Sequence, residues 1–199
     1  ETVHTEGITH VTLGDVGYAE AWGGVIKLIG EVKTLEYGKI QIEVCPMFVS
    51  RESQLSSVDD VFNGIMVRGD ATGDVVFYGK GAGKLPTASA VVADVIDCVK
   101  HFKARKYLFW EDAKPGYVEP YENMVEDVFI RAKGNDSDAA FEVVEQVFEG
   151  AERLIRREEE EGEIGFTVKD VKVKELEARF ARLKELGVEP LNHIKISDF

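Results

Sequence analysis

The sequence predicts an α+β chain in two parts. A strand-rich, mixed-sheet first half closes with one long helix, and the second half follows the ferredoxin-like order βαββαβ. Three observations predict this. Short apolar runs separated by glycine turns fill residues 7–83. A helical apolar stripe follows the glycine-rich segment Gly79–Gly83. From Val125 onward the strand and helix periods alternate in the order strand, helix, strand, strand, helix, strand.

In the first half, Thr12-Leu13-Gly14-Asp15 predicts a helix start with Thr12 as N-cap, ending near Gly23-Gly24. Val25 to Leu35 and Ile40 to Val44 flank Glu36-Tyr37-Gly38-Lys39, which predicts a hairpin with glycine in its turn. Ile40, Ile42 and Val44 alternate with Gln41 and Glu43, the period of a strand with one wet face. Phe62 to Arg68 and Asp74 to Tyr78 are two more strands, joined by Gly69-Asp70-Ala71-Thr72-Gly73. Pro86 suits a first helical turn, where its missing N–H costs nothing. Ala88, Val91, Val92, Val95, Ile96, Val99 and Phe102 then recur at helical spacing to about Lys103. Arg105 to Met124 holds Pro115, Pro120 and five aromatics (Tyr107, Phe109, Trp110, Tyr117, Tyr121) and is expected to be a packed linker.

In the second half, Val128 to Ala132 is the first strand. Asn135-Asp136-Ser137-Asp138 offers caps for a helix with Ala140, Phe141, Val144, Val147 and Phe148 on one face. Arg153 to Arg157 and Ile164 to Val168 form two strands around Glu158 to Gly162, an expected solvated hairpin tip. Val173, Leu176, Phe180 and Leu183 mark the second helix, with Glu175 and Arg179 one turn apart and Gly187 at its C-terminal cap. Leu191 to Ile196 is the last strand. The expected domains are 1–104 and 125–199, with 105–124 between them. Charge supports that division: residues 1–105 carry 10 Lys/Arg against 14 Asp/Glu, and residues 106–199 carry 14 against 23.

The net charge of -13 argues against nucleic-acid partners. Two cysteines, Cys45 and Cys98, are too few for a disulfide framework or a thiolate zinc site and suit reduced thiols in a cytoplasmic protein. No apolar run approaches a membrane span, and no signal peptide is visible. The first residue is Glu1 rather than Met, which suggests a processed or truncated product. His4, His10, His101 and His193 have no metal-ligand spacing, so no metal is expected. Cys45, before Pro46, is expected to be a buried inert thiol, and Lys80 and Lys84 solvated surface lysines.

The stretch from Tyr78 to Asp94 carries the most information. Three glycines in five residues follow Val75-Val76-Phe77, an arrangement that brings bare backbone up to a ligand. Phe77-Tyr78-Gly79-Lys80-Gly81-Ala82-Gly83 followed by Leu85-Pro86-Thr87-Ala88-Ser89-Ala90-Val91-Val92-Ala93-Asp94 resembles the "F-Y-G-x-G-A-G-x-x-P-T-A-S-A-V-x-x-D" signature of homoserine dehydrogenase. Thr5-Glu6-Gly7-Ile8-Thr9-His10-Val11-Thr12, Ser57-Val58-Asp59-Asp60-Val61-Phe62-Asn63-Gly64-Ile65 and Gly69-Asp70-Ala71-Thr72-Gly73-Asp74 are similar to other segments of that family, in its order. Gly64 stands where the family has alanine.

The resemblance implies the C-terminal part of such an enzyme, after its dinucleotide-binding domain. The family interconverts L-homoserine and L-aspartate 4-semialdehyde by hydride transfer with NAD or NADP, in aspartate-family biosynthesis of threonine, methionine and isoleucine. It implies Gly83 as a cofactor-binding residue and no catalytic residue in this chain, since the family's catalytic lysine lies upstream. No cofactor is then expected on these 199 residues alone. Residues 125–199 look like the ACT-type regulatory domain that ends many of these enzymes. Gly134 to Asp138 stands where ACT domains usually carry "D-R-P-G". Two readings follow: an enzyme part inactive alone, or a regulatory or assembly module that binds an amino-acid effector or only dimerises. Both imply a homodimer or higher homo-oligomer.

Overall fold

The computed structural model describes residues 3–104 and 109–199. In chain order the elements are β1 (His4–Thr5), α1 (Leu13–Trp22), β2 (Gly24–Thr34), β3 (Ile40–Ser50), β4 (Phe62–Gly69), β5 (Gly73–Lys80), α2 (Lys84–Lys100), β6 (Val125–Lys133), α3 (Ser137–Val147), β7 (Glu152–Leu154), β8 (Glu163–Lys172), α4 (Val173–Glu185) and β9 (Glu189–Ile196). They form two compact units, one of residues Glu1–Arg51 with Lys114–Phe199, the other of Glu52–Ala113. The division expected at 104 and 125 follows chain order. The packing instead groups the N-terminal strands with the βαββαβ half.

The first unit is built on a seven-stranded mixed sheet. β2 and β3 pair antiparallel along their whole length, from Gly24 opposite Ser50 to Thr34 opposite Ile40. The other edge of β3 meets β1 and then β9, both parallel. From there the order runs β9, β6, β8, β7, all antiparallel. Local chemistry explains the element ends. Thr12 and Asp15 form a reciprocal capping box at α1, and Gly23 closes that helix at φ 95°. Asp136 caps α3 by accepting the amides of Asp138 and Ala139. Gly187, at φ 85°, follows α4, and Glu175 and Arg179 pair at 3.0 Å.

The sheet is covered on both faces. Val128 and Ile130 of β6 and Ile164 and Phe166 of β8 pack under Val144 of α3 and Leu176, Phe180 and Leu183 of α4. Phe129, between Val128 and Ile130, points to the opposite face. There it joins Tyr18 and Ala19 of α1, Phe48 of β3 and Ile194 of β9, with Phe48 and Phe129 stacked at 4.6 Å between ring centroids.

Three sequence expectations change here. On β3 the polar side is the buried one: Gln41, Glu43 and Cys45 are buried, while Ile40, Ile42 and Val44 are half-buried. The cause is a cationic partner on β9, described below. β7 stops at Leu154, so residues 155–157 are not strand: Arg156 donates its amide to the Glu159 carboxylate, and Glu158 adopts φ 60°. Hence the acidic tip is only partly solvated, and Glu159 also accepts from the buried Tyr18 hydroxyl at 3.3 Å.

The second unit holds the antiparallel hairpin β4–β5, with Phe62 opposite Lys80 and Gly69 opposite Gly73, and the helix α2. α2 ends at Lys100, three residues before the expected end, with His101 as its C-cap. Its apolar stripe is exposed: no residue of α2 is buried. In the expected linker, Tyr107 lies outside the described residues. Phe109 and Trp110 are exposed, whereas Val118 bridges Ile40 and Tyr121 stacks on His4 at 3.5 Å. No described helix is long and apolar enough to cross a membrane.

Candidate functional site

The glycine loop sits in the second unit, between the end of β5 and the start of α2. Two of its glycines have distinct physical reasons. A Cβ at Gly81 would lie 2.2 Å from Asn63 Nδ2, so the loop backbone rests directly against the Asn63 side chain. Gly83 is the N-cap of α2 at φ 120° and ψ 151°, a conformation essentially reserved for glycine. It offers no side-chain cap, and its carbonyl accepts the Thr87 amide at 3.1 Å. A Cβ there would make only ordinary contact with the Pro86 ring, at 3.5 Å. Gly83 is therefore demanded by dihedral angle and Gly81 by close approach. Gly79 meets open space. Pro86 is the third helical residue, still inside the first turn.

Around the loop, ring and charge contacts tie the hairpin together. Phe62 and Tyr78 stack at 4.9 Å, and Lys80 Nζ lies 5.6 Å over the Phe62 ring. The far turn is clamped by Arg68, whose guanidinium donates to both carboxylate oxygens of Asp74 at 2.7 and 3.0 Å. That hydrogen bonding holds the Asp74 carboxyl below its ordinary value. Gly64 also has a structural reason. A Cβ there would lie 2.9 Å from both Leu55 Cδ2 and Val58 Cγ2, so alanine would need those side chains to move. Lys80 and Lys84 are exposed, as expected of surface lysines.

The loop, then, is a glycine-lined approach to backbone at a helix N-terminus. Such a surface receives an electronegative or planar ligand group without steric cost. It brings no acid, base or nucleophile with it. Among the described residues no group of three His, Cys, Asp or Glu side chains is placed to hold a metal ion. Cys45 is buried, and burial pushes its thiol far up, which suits an inert group. Cys98 is a free, exposed thiol on α2. The histidines are dispersed in role: His4 stacks on Tyr121, His10 lies 3.6 Å from Glu6, His101 lies 2.9 Å from Asp97, and burial pushes His193 down.

Two charge networks in the first unit had no signal in the sequence, because their members lie far apart in the chain. In one, Arg131 reaches the fully buried Asp15 at 2.8 Å, and Arg156 reaches Glu163 at 2.8 Å beneath a cleft of about 1210 Å3. The other surrounds Lys195.

Residues 1–96 match the family model for homoserine dehydrogenase. Over 100 residues the chain is 42% identical to the homoserine dehydrogenase of Pseudomonas aeruginosa, covering 50% of this chain and 23% of that protein. It is 46% identical over 102 residues to that of Synechocystis, covering 50% and 24%. The match to the Helicobacter pylori enzyme is 33% over 147 residues, covering 74% of this chain and 34% of that protein. The chain thus spans about a quarter to a third of the length of these relatives. Among solved structures, a homoserine dehydrogenase from Thiobacillus denitrificans superposes with a TM-score of 0.79 at 26% identity, over 98% of this chain and 48% of that one. The Staphylococcus aureus enzyme superposes at 0.71 with 27% identity, over 99% and 48%. Over residues 1–96 the chain is thus similar in sequence to homoserine dehydrogenases.

Proposed function

We propose that this chain is the C-terminal portion of a homoserine dehydrogenase, which interconverts L-homoserine and L-aspartate 4-semialdehyde with NAD(P). In that reading the loop from Gly79 to Gly83 forms one wall of the active site. The Gly83 backbone lies against the nicotinamide cofactor, where a side chain would hold the cofactor away. The observation that carries the reading is the second unit itself. A glycine loop of the family's signature leads into a helix with Val91, Val92, Val95, Ile96 and Val99 all exposed. A two-stranded hairpin with one uncovered helix is marginal in water. These elements suit a larger enzyme whose remaining domains cover them.

The chain's own residues supply positioning rather than chemistry. Asn63 and Gly81 hold the loop, Gly83 sets the direction of α2, and the cofactor supplies hydride exchange when bound. The proton-transfer group and most cofactor contacts belong to the rest of the enzyme, so the 199-residue chain is inactive alone. Residues 125–199 are an ACT-like module, with Asp136 capping the helix where an effector-binding loop stands in ACT domains. The whole enzyme is cytoplasmic and a homodimer or higher oligomer.

The test is homoserine-dependent reduction of NAD and of NADP. The purified chain is measured alone and joined to the upstream half of a related homoserine dehydrogenase. Activity only in the joined protein is expected, and Gly83→Ala there should raise the KM for cofactor more than it lowers kcat. Turnover by the chain alone, or a joined Gly83→Ala enzyme with unchanged cofactor KM, contradicts the proposal.

A further inference from the structure

Four strands of the sheet converge on one ammonium group. Lys195 of β9 lies 3.2 Å from Glu31 of β2 and 3.3 Å from Glu126 of β6, and it contacts Glu43 of β3. The site is largely shielded from water: the side chains of Glu43, Glu126, Lys195 and Glu31 are 0, 3, 14 and 15% exposed. Further donors complete it. Gln41 Nε2 donates to Glu43 at 2.7 Å, the Cys45 thiol lies 3.7 Å from the same carboxylate, and the Tyr121 hydroxyl donates to Glu126 at 3.1 Å. Burial raises the Glu31 carboxyl above its ordinary value, against the pull of Lys195.

The position of this cluster gives it a role. β3 and β9 are paired at two positions only, Met47 opposite Lys195 and Phe48 opposite Ile196, extended by the Ser197 amide to the Phe48 carbonyl at 2.9 Å. On one face of that short parallel seam, Phe48 packs on Phe129 and Ile194. On the other face sits the charge cluster. So short a seam specifies its register weakly, and a slip of one residue would carry Lys195 to the apolar face. A buried ionic cluster adds little net stability over an apolar one, but it strongly disfavours any arrangement that strands its charges. A second ion pair across this region, Lys33 to Asp198, is half-exposed and screened by solvent.

We propose that Lys195 is a latch: it fastens β9, and with it the βαββαβ half of the chain, to the β2–β3 hairpin in a single register. The latch rests on this geometry and not on the enzymatic reading. It makes the charge state of Glu31, Glu43 and Glu126 a determinant of how firmly the two halves of the sheet are joined.

Hydrogen exchange on the 199-residue chain tests it. In Lys195→Met, the amides of 47–48 and 194–197 should exchange roughly tenfold or more faster, while those of 164–168 in β8 keep their protection. Lys195→Arg, which keeps the cation, should retain most of the seam's protection. If Lys195→Met does not fold, Glu126→Gln is the second variant, since it trims one arm and keeps a partner for Tyr121. It should show a smaller increase, confined to the same amides. Unchanged exchange at the seam in whichever variants fold overturns the latch. So does a loss of protection spread evenly across β6, β8 and the seam.

Discussion

α2 and α4 are both amphipathic helices beside β-strands, and they meet opposite fates. α4 buries Leu176, Phe180 and Leu183 against the sheet. α2 is four residues longer and buries none, with Leu85 80% and Val99 72% exposed. An amphipathic pattern is present in both sequences, weaker in α2 than in α4. What differs is the packing: α4 lies on the sheet of its own unit, whereas no residue of α2 is buried. The best-packed region of this protein is therefore not the one that identifies it. The family signature runs through the second unit, where glycine positions are constrained by dihedral angle at Gly83 and by neighbouring side chains at Gly81 and Gly64 rather than by a core. The βαββαβ half has the core and few recognisable motifs.

The sharpest way to break this contrast is a matched pair of large-to-small substitutions. Phe166→Ala removes a fully buried ring and should cost about 3–5 kcal/mol. Val95→Ser on the exposed stripe of α2 should change stability by less than about 0.5 kcal/mol. Chemical denaturation of the two variants measures both. A cost above roughly 2 kcal/mol for Val95→Ser would mean that its stripe is covered in the isolated chain. Asp15→Asn comes next. It removes the charge that Arg131 pairs with at a fully buried position, with an expected loss of about 3 kcal/mol in the first unit. The β4–β5 hairpin, read by its own amide exchange, should not respond.

Gly83→Ala places a side chain at φ 120° and should destabilise the start of α2 by about 1–3 kcal/mol. Circular dichroism and exchange at the α2 amides would report this, and an unchanged helix would leave close approach to a ligand as the only demand for glycine there. The smallest expected effect concerns pH. Burial raises Glu31 above its ordinary 4.5, so the folded chain holds that proton more tightly than the unfolded chain. The stabilisation it contributes is present at low pH and is lost as pH rises through the folded-state value. As pH rises above about 4.5, Glu31→Gln should gain melting temperature relative to the parent, then run parallel to it once pH has passed the raised folded-state value. A difference independent of pH would remove Glu31 from the linkage.

Much of the local structure was legible. Thr12 and Gly23 delimit α1, Asp136 starts α3, and Gly187 follows α4, because caps act within a few residues of the atoms they satisfy. The glycine loop was legible for the same reason. The face of β3 was not. Alternation of Ile40, Ile42 and Val44 with Gln41 and Glu43 fixes a period, but only a partner decides which side is dry. Lys195, 152 residues away, turned the acidic side inward. The parallel β3–β9 seam was equally hidden, since parallel partners need a long connection and leave no turn signal between them.

The amino-acid order alone thus set the element types, most of their ends, the glycine loop with its required dihedral at Gly83, and the family resemblance of the first hundred residues. All of these depend on interactions across a few positions or on a motif read in order. The tertiary structure alone decided that the N-terminal strands and the βαββαβ half share one sheet, that Glu43 is buried, and that α2 stands uncovered while α4 does not. Those outcomes depend on which distant surfaces meet, and neither period nor propensity carries that information.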